Sequence, residues 1–211
     1  SALLPISLYL NKKKNKNLVG SSNIEDVKNQ NLIQKWFVLS QIKNAFGRSG
    51  DTVLKNLQET IVEQPNFDIF PFDALNKKLL IEPKFNDAEI ENLFLVNYST
   101  KYSYLILSLL YPDRDWLDNK YHEDHIFPKS EFTTAKLSKR GYDELTIQKY
   151  QRYFNTVLNL QLLTDKENLD KNATDFGAWI ESRDGNFKTR HSIPEIHNYG
   201  FDNFLYFIEE R

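Results

Sequence analysis

The chain has 211 residues, of which 40% are hydrophobic and 14% aromatic, enough to build one large packed domain or two small ones. It contains no Cys, which excludes disulfides and Cys-based zinc sites. The formal net charge of -2 gives no general attraction to polyanions, so a nucleic-acid surface requires a local excess of basic residues.

Targeting signals are the next feature of the sequence. No segment approaches the roughly 18 consecutive apolar residues that a membrane span needs. A Lys cluster follows the apolar stretch at residues 3–10, whereas a secretory signal carries its basic residues first. With the lack of Cys, this predicts a cytoplasmic protein without membrane contact. The chain has no Met, which predicts that it starts inside a longer protein or after processing.

The first half of the sequence predicts helices. Pro5 is compatible with a helix only within its first turn. The basic run at 12–17 is favoured as a solvated loop, with contact to phosphate as the alternative. Residues 64–86 contain three Pro and predict a long connection with at most short turns. Helical periodicity predicts helices at 3–10, at 23–46, from Asp51 and from Asp87, followed by a buried apolar run at 100–111 that ends before Pro112.

The polar junction at 113–119 marks the predicted domain boundary, with a helical bundle region at 1–115 and a second domain at 116–211. The second domain is predicted to contain strands at 121–127 and 158–163. Two short helices, 133–140 and 144–154, are expected between them, joined by Gly141. Thr164 and Glu167 form a capping-box pattern, which predicts a helix start. Gly185 is expected to interrupt this region, and residues 194–211 to end in a helix.

Two stretches of the second domain carry the residues suited to chemistry. A lone Asp–His pair is usually structural, but here it is followed by two Asn and a Lys at regular spacing. The second Asn lies nine positions after the first, and the Lys lies three positions after the second Asn. The two stretches are Asp124-His125-Ile126-Phe127-Pro128 and Asn159-Leu160-Gln161-Leu162-Leu163, the latter leading to Asn168 and Lys171.

This pattern resembles the core of HNH endonucleases, in the variant whose last motif position is Asn. The resemblance covers about residues 121–171. It implies a mainly α chain with a small ββα-metal module, in which an N-terminal helical bundle precedes an HNH nuclease domain with a helical insert and a C-terminal helix. The activity it implies is metal-dependent hydrolysis of phosphodiester bonds in DNA.

The resemblance also implies roles for individual residues. Mg²⁺, or Mn²⁺ in its place, prefers oxygen ligands and retains water, which suits a site made by Asp124 and Asn168. His125 is expected to be the general base, because an imidazole titrates near neutral pH. Asn159 is expected to brace the loop or to orient His125. Lys171, one helical turn beyond Asn168, is expected to face the same phosphate.

Substrate contacts are predicted from local charge. Residues 129–153 hold six basic and three acidic side chains, a local charge of +3 that suits a phosphate groove, while ordinary solvated helices are the alternative. The candidates are Lys129, Lys139 and Arg140. His122 is a further candidate for a substrate or metal contact, with a structural role equally open. His191 and His197 lack partner spacing and are predicted to be non-catalytic.

The whole chain resembles the C-terminal region of GmrSD-like, modification-dependent restriction endonucleases. For residues 1–120 this rests on the Leu-Leu-Pro-Ile start and the Gly-Arg-Ser-Gly-Asp turn. It implies restriction of modified or foreign DNA, such as phage DNA, and a nucleotide-hydrolysing N-terminal domain that is missing here. Two alternatives stay open: a catalytically degenerate HNH-fold module that binds nucleic acid or a partner subunit, and RNA as the substrate.

Overall fold

The computed structural model describes residues 1–13, 18, 20–47, 50–111, 116 and 119–211, which form helices and one two-stranded sheet. The prediction of a mainly α chain with a small sheet is confirmed. No helix in these ranges combines the length and apolar character that crossing a bilayer requires. The helices are α1 (Leu3–Lys12), α2 (Ile24–Ile42), α3 (Gly50–Val62), α4 (Phe72–Leu79), α5 (Asp87–Phe94), α6 (Ser103–Leu109), α7 (Thr134–Lys139), α8 (Glu144–Tyr153), α9 (Asp165–Lys171), α10 (Phe176–Glu181), α11 (Gly185–Arg190) and α12 (Phe204–Glu210).

Contacts within the described residues divide the chain into two compact units, residues 1–86 and 87–211. Helices α5 and α6 therefore belong to the second unit, whereas the sequence prediction placed them with the first. The predicted boundary after residue 115 lies beside residues 112–115 and 117–118, outside the described residues. Most of the basic run at 12–17 and part of the Gly-Arg-Ser-Gly-Asp turn also lie outside them.

The first unit corrects the prediction of a long connection at 64–86. Helix α4 forms inside this segment and starts directly after Pro71, where the missing N–H of proline removes no helical hydrogen bond. Phe72 and Leu75 of this helix are buried in the core around Trp36, which drives the segment to fold. The prolines therefore delimit the helix and do not prevent it.

The second unit has a core rich in aromatic residues, and Phe127 lies within it. Its ring centroid is 4.7 Å from that of Phe176, 5.1 Å from Phe207 and 5.3 Å from Phe204. Ile126 and Phe127 are both buried and directly follow the first strand. This apolar pair therefore anchors the end of the strand in the core.

Two other elements of this unit differ from the predictions. The apolar run at 100–111 is buried on one face only, because Tyr104 and Leu109 of α6 are 40% and 42% exposed. Gly185 begins helix α11, with the Asp184 side chain as its N-cap. The helix that starts after Thr164 ends earlier, at Lys171, where Asn172 adopts a positive φ of 44°.

The sheet pairs β1 (Tyr121–His125) with β2 (Leu160–Thr164) in antiparallel orientation. Asp124 lies opposite Gln161 in this register. Helix α9 follows β2 without a break and contacts both strands. Thr164 and Glu167 form the predicted capping box, in which each side chain binds the backbone N–H of the other residue.

The chain between the two strands forms the predicted pair of helices, α7 and α8. Thr133 and Asp143 cap their N-termini through side-chain hydrogen bonds. Gly141 joins them at a φ of 86°, a left-handed conformation that glycine adopts without strain. Short 3-10 helices at Lys129–Glu131 and Val157–Asn159 complete this connection.

Candidate active site

A cleft of about 530 Å³ lies where β1 ends, beside the second half of α9. It brings together five of the residues that the sequence singled out, although Asp124 and Asn168 are 44 positions apart. The cleft is lined by Asp124, His125, Pro128, Lys129, Ser130, Asn168, Leu169, Lys171, Asn172 and Ala173.

The alternation of side chains along β1 explains which residues meet α9. His122 and Asp124 are two positions apart and share one face of the strand. His122 contacts Asp165 at the start of α9, and Asp124 contacts Lys171 at its end. Helix α9 therefore runs across this face in the same direction as β1. Asp124 lies at the end of β1 that borders the cleft.

The Asp124 carboxylate is held through one of its two oxygens. Its Oδ2 accepts a hydrogen bond from Gln161 Nε2 at 2.9 Å and lies 2.9 Å from Lys171 Nζ. Within the described residues, Oδ1 has no hydrogen-bond partner, and the side chain is 16% exposed. One carboxylate oxygen is therefore available to a ligand in the cleft.

Lys171 differs from its expected arrangement. Its side chain is 1% exposed, and Nζ also donates to the backbone carbonyl of His125 at 2.7 Å. A buried ammonium needs a counter-charge and hydrogen-bond acceptors, and Asp124 and this carbonyl supply them. Lys171 therefore contacts Asp124, the predicted metal ligand.

The His125 ring is buried and oriented by a residue that the sequence reasoning missed. Its Nε2 lies 3.0 Å from Asn155 Oδ1, and the Tyr98 ring lies 4.8 Å away between centroids. An amide oxygen only accepts, so Nε2 carries the proton and Nδ1 is the basic nitrogen. No motif spacing points to Asn155, which lies in the turn after α8.

Burial lowers the pKa of the His125 imidazole below its ordinary value, because the charged form loses hydration. The hydrogen bond with Asn155 and the charge of Asp124 oppose this shift, while Lys129 and Lys171 add to it. The net result favours a neutral imidazole near pH 7, which is the protonation state that a general base requires.

Asn159 braces the loop after β1, and its side-chain hydrogen bonds within the described residues do not include the His125 ring. It is fully buried, and its Oδ1 accepts from the Phe127 N–H at 3.0 Å. Its Nδ2 donates to the carbonyls of Phe127 at 3.1 Å and Phe154 at 2.7 Å. Of the two roles expected for Asn159, bracing matches these contacts, and orientation of His125 is assigned to Asn155.

Asn168 lies in α9 and is half-buried at the cleft. Its side chain has no hydrogen-bond partner within the described residues, so its amide oxygen, like Asp124 Oδ1, is uncommitted. Hard divalent cations such as Mg²⁺ prefer oxygen ligands and keep several waters, and this pair of donors fits such an ion. The described residues contain no group of three or more His, Asp or Glu side chains placed to hold a metal. A metal at this cleft would have two protein ligands.

The four predicted substrate contacts are not brought together. Lys129 is exposed and lines the cleft, whereas His122, Lys139 and Arg140 do not. His122 pairs with Asp165, which matches the structural role left open for it. Arg140 binds the Glu131 carboxylate at 3.0 Å and lies over the Phe201 ring at 4.4 Å, so packing and charge pairing occupy its guanidinium.

The other two histidines lie apart from the cleft lining. His191 is buried, and its Nδ1 lies 3.1 Å from the Tyr111 hydroxyl, while its ring stacks on Phe187 at 4.1 Å. His197 is exposed. Neither residue lines the cleft.

Comparison of the sequence with known proteins adds no relationship. No protein-family model matches the chain, and no curated protein matches it. The resemblance to HNH endonucleases therefore rests on the motif quoted above.

Proposed function

We propose that the chain is an HNH-type endonuclease that uses Mg²⁺ or Mn²⁺ to hydrolyse phosphodiester bonds in DNA. The observation that supports this proposal is the meeting of Asp124, His125 and Asn168 at one cleft. Phosphodiesters resist hydrolysis because their negative oxygens repel an attacking hydroxide. When bound, a divalent cation screens that charge and stabilises the leaving oxygen.

The protein residues then have distinct tasks. Asp124, through Oδ1, and Asn168, through its amide oxygen, would hold the cation. His125 takes a proton from the attacking water on Nδ1, because Asn155 fixes the proton on Nε2. Lys129, exposed at the cleft, attracts the phosphate backbone of DNA.

Backbone-directed cleavage of this kind leaves sequence or modification recognition to other parts of a protein. The resemblance to GmrSD-like enzymes supports a setting in restriction of modified or foreign DNA. It also supports a nucleotide-hydrolysing domain as the partner of this chain. The restriction of modified DNA and the partner domain are both proposals, and both depend on the chain being a nuclease.

The test is cleavage of supercoiled plasmid DNA with Mg²⁺ or Mn²⁺. We expect nicking by the chain, its loss in His125→Ala, and its retention in His197→Ala, which changes an exposed histidine outside the cleft. Circular dichroism of both variants checks that they fold. Full activity of His125→Ala would falsify the catalytic assignment.

A second candidate is a degenerate HNH fold that binds nucleic acid without cleavage. The contact of Lys171 with Asp124 favours it, because a protein cation already neutralises the proposed metal ligand. Salt-sensitive DNA binding without cleavage under any divalent ion supports this candidate. Cleavage of an RNA oligonucleotide in preference to DNA would instead identify RNA as the substrate of the nuclease.

A further inference from the structure

The proposed metal site contains a cation supplied by the protein. Lys171 Nζ lies 2.9 Å from Asp124 Oδ2 and 2.7 Å from the His125 carbonyl oxygen, in a side chain that is 1% exposed. Gln161, which is fully buried, donates to the same oxygen of Asp124. Two donors therefore fix the carboxylate through Oδ2, and Oδ1 has no hydrogen-bond partner among the residues that the structure describes.

The charges at the cleft make this arrangement consequential. The charged side chains of the lining are Asp124, Lys129 and Lys171, so their sum is +1 when His125 is neutral. Asn168 adds an oxygen donor but no charge. A divalent cation that enters this cleft alone meets a carboxylate whose charge is already compensated, and the attraction between them is weakened accordingly.

A phosphodiester supplies the missing negative charge. Its non-bridging oxygens are hard ligands of the type that Mg²⁺ and Mn²⁺ prefer, and its charge offsets that of Lys129 and Lys171. Metal and DNA then strengthen each other's binding, because a coupling between two ligands acts equally in both directions.

We propose that Lys171 is a positioning residue that makes divalent-cation binding at Asp124 depend on a phosphodiester in the same cleft. The free protein binds the cation weakly, and the complex with DNA binds it tightly. This inference rests on the proposed function, since it takes Asp124 and Asn168 as the metal ligands. It adds that metal and DNA bind to the site cooperatively.

The test measures Mn²⁺ binding by electron paramagnetic resonance, without reference to turnover. The full chain is titrated alone, with a short phosphorothioate duplex, and with a duplex of the same sequence carrying uncharged methylphosphonate linkages. Mn²⁺ bound by each duplex alone is subtracted. We expect the phosphorothioate duplex to raise Mn²⁺ affinity at least tenfold and the methylphosphonate duplex to leave it unchanged.

Variants separate charge from packing. Lys171→Gln removes the charge and keeps donors for Asp124. Without DNA, this variant is expected to bind Mn²⁺ at least tenfold more tightly than the wild type does. Addition of the phosphorothioate duplex is then expected to raise its Mn²⁺ affinity much less than it raises that of the wild type. Lys171→Arg keeps the charge and is expected to retain the dependence on DNA. Asp124→Asn is expected to lose Mn²⁺ binding under every condition. Thermal melts show which variants fold.

The outcomes distinguish this inference from the proposed function. Tight Mn²⁺ binding by the wild-type protein alone, together with DNA cleavage, overturns the role of Lys171 and leaves the nuclease proposal standing. This comparison uses the wild type only, so it holds even where a Lys171 variant does not fold. Failure of the wild type to bind Mn²⁺ in the presence of the phosphorothioate duplex overturns both.

Discussion

Asn159 and Asn168 belong to the same motif, yet the structure predicts opposite consequences for their replacement. Asn159→Ala removes three hydrogen bonds to the backbone of Phe127 and Phe154 at a fully buried position. Asn168→Ala removes a half-buried side chain without a hydrogen-bond partner in the described part of the chain. The first change is expected to act on folding, the second on function.

The magnitude for Asn159→Ala follows from the groups it leaves behind. Each buried backbone group without a partner costs about 1–3 kcal/mol, so one N–H and two carbonyls together cost about 3–9 kcal/mol. This is a large part of the stability of about 5–15 kcal/mol that is typical of a protein domain. Asn168→Ala is expected to change stability by no more than about 0.5 kcal/mol.

Urea unfolding followed by circular dichroism measures both free energies. Amide hydrogen exchange adds a local measurement, because the Phe127 N–H is expected to lose protection in Asn159→Ala and keep it in Asn168→Ala. Plasmid nicking is expected to be lost in Asn168→Ala while its fold is retained. A loss of less than about 1 kcal/mol in Asn159→Ala refutes the bracing role, since even one orphaned group costs that much.

Two further predictions concern His125 and Glu131. Asn155→Leu removes the acceptor of His125 Nε2–H. We expect ¹⁵N NMR to show that the Nε2-protonated tautomer no longer dominates, and plasmid nicking to fall about 10-fold. An unchanged tautomer contradicts this prediction. Ion pairs with Lys136 and Arg140 lower the pKa of Glu131, so its stabilising effect is present above the unfolded-state pKa and is lost as pH falls through the folded-state value. Glu131→Gln is therefore expected to reduce the loss of stability on acidification, and melts of equal pH dependence argue against it.

The first unit shows where local sequence reasoning fails. The helix predicted to start at residue 23 does start there, with Asn23 as the N-cap of α2, because a cap depends on residues within one turn. Helix α4 was missed because Pro65, Pro71 and Pro83 suggested an irregular connection. The burial of Phe72 and Leu75 decides the fold of this segment, and that burial depends on residues of α1, α2 and α3 far along the chain.

In the candidate site too, residue type and spacing are predictable from sequence, whereas the tertiary contacts are not. Asp124, His125 and Asn168 are recognisable from residue type and spacing, and the cleft brings them together. Lys171 carries the expected spacing, but its side chain turns inward to Asp124 and the His125 carbonyl. The spacing of three residues on a helix fixes the face on which Lys171 lies, and leaves open what that face contacts.

Local sequence patterns set the helical character of the chain, the capping box that starts α9, and the residue types that suit a metal-dependent site. These features depend on neighbours within a few positions, where backbone geometry leaves few choices. Tertiary structure alone decided that Asn155 orients His125 and that Lys171 neutralises Asp124, across separations of 30 and 47 positions. Such contacts form because buried polar groups require partners, and the folded chain determines which partners are within reach.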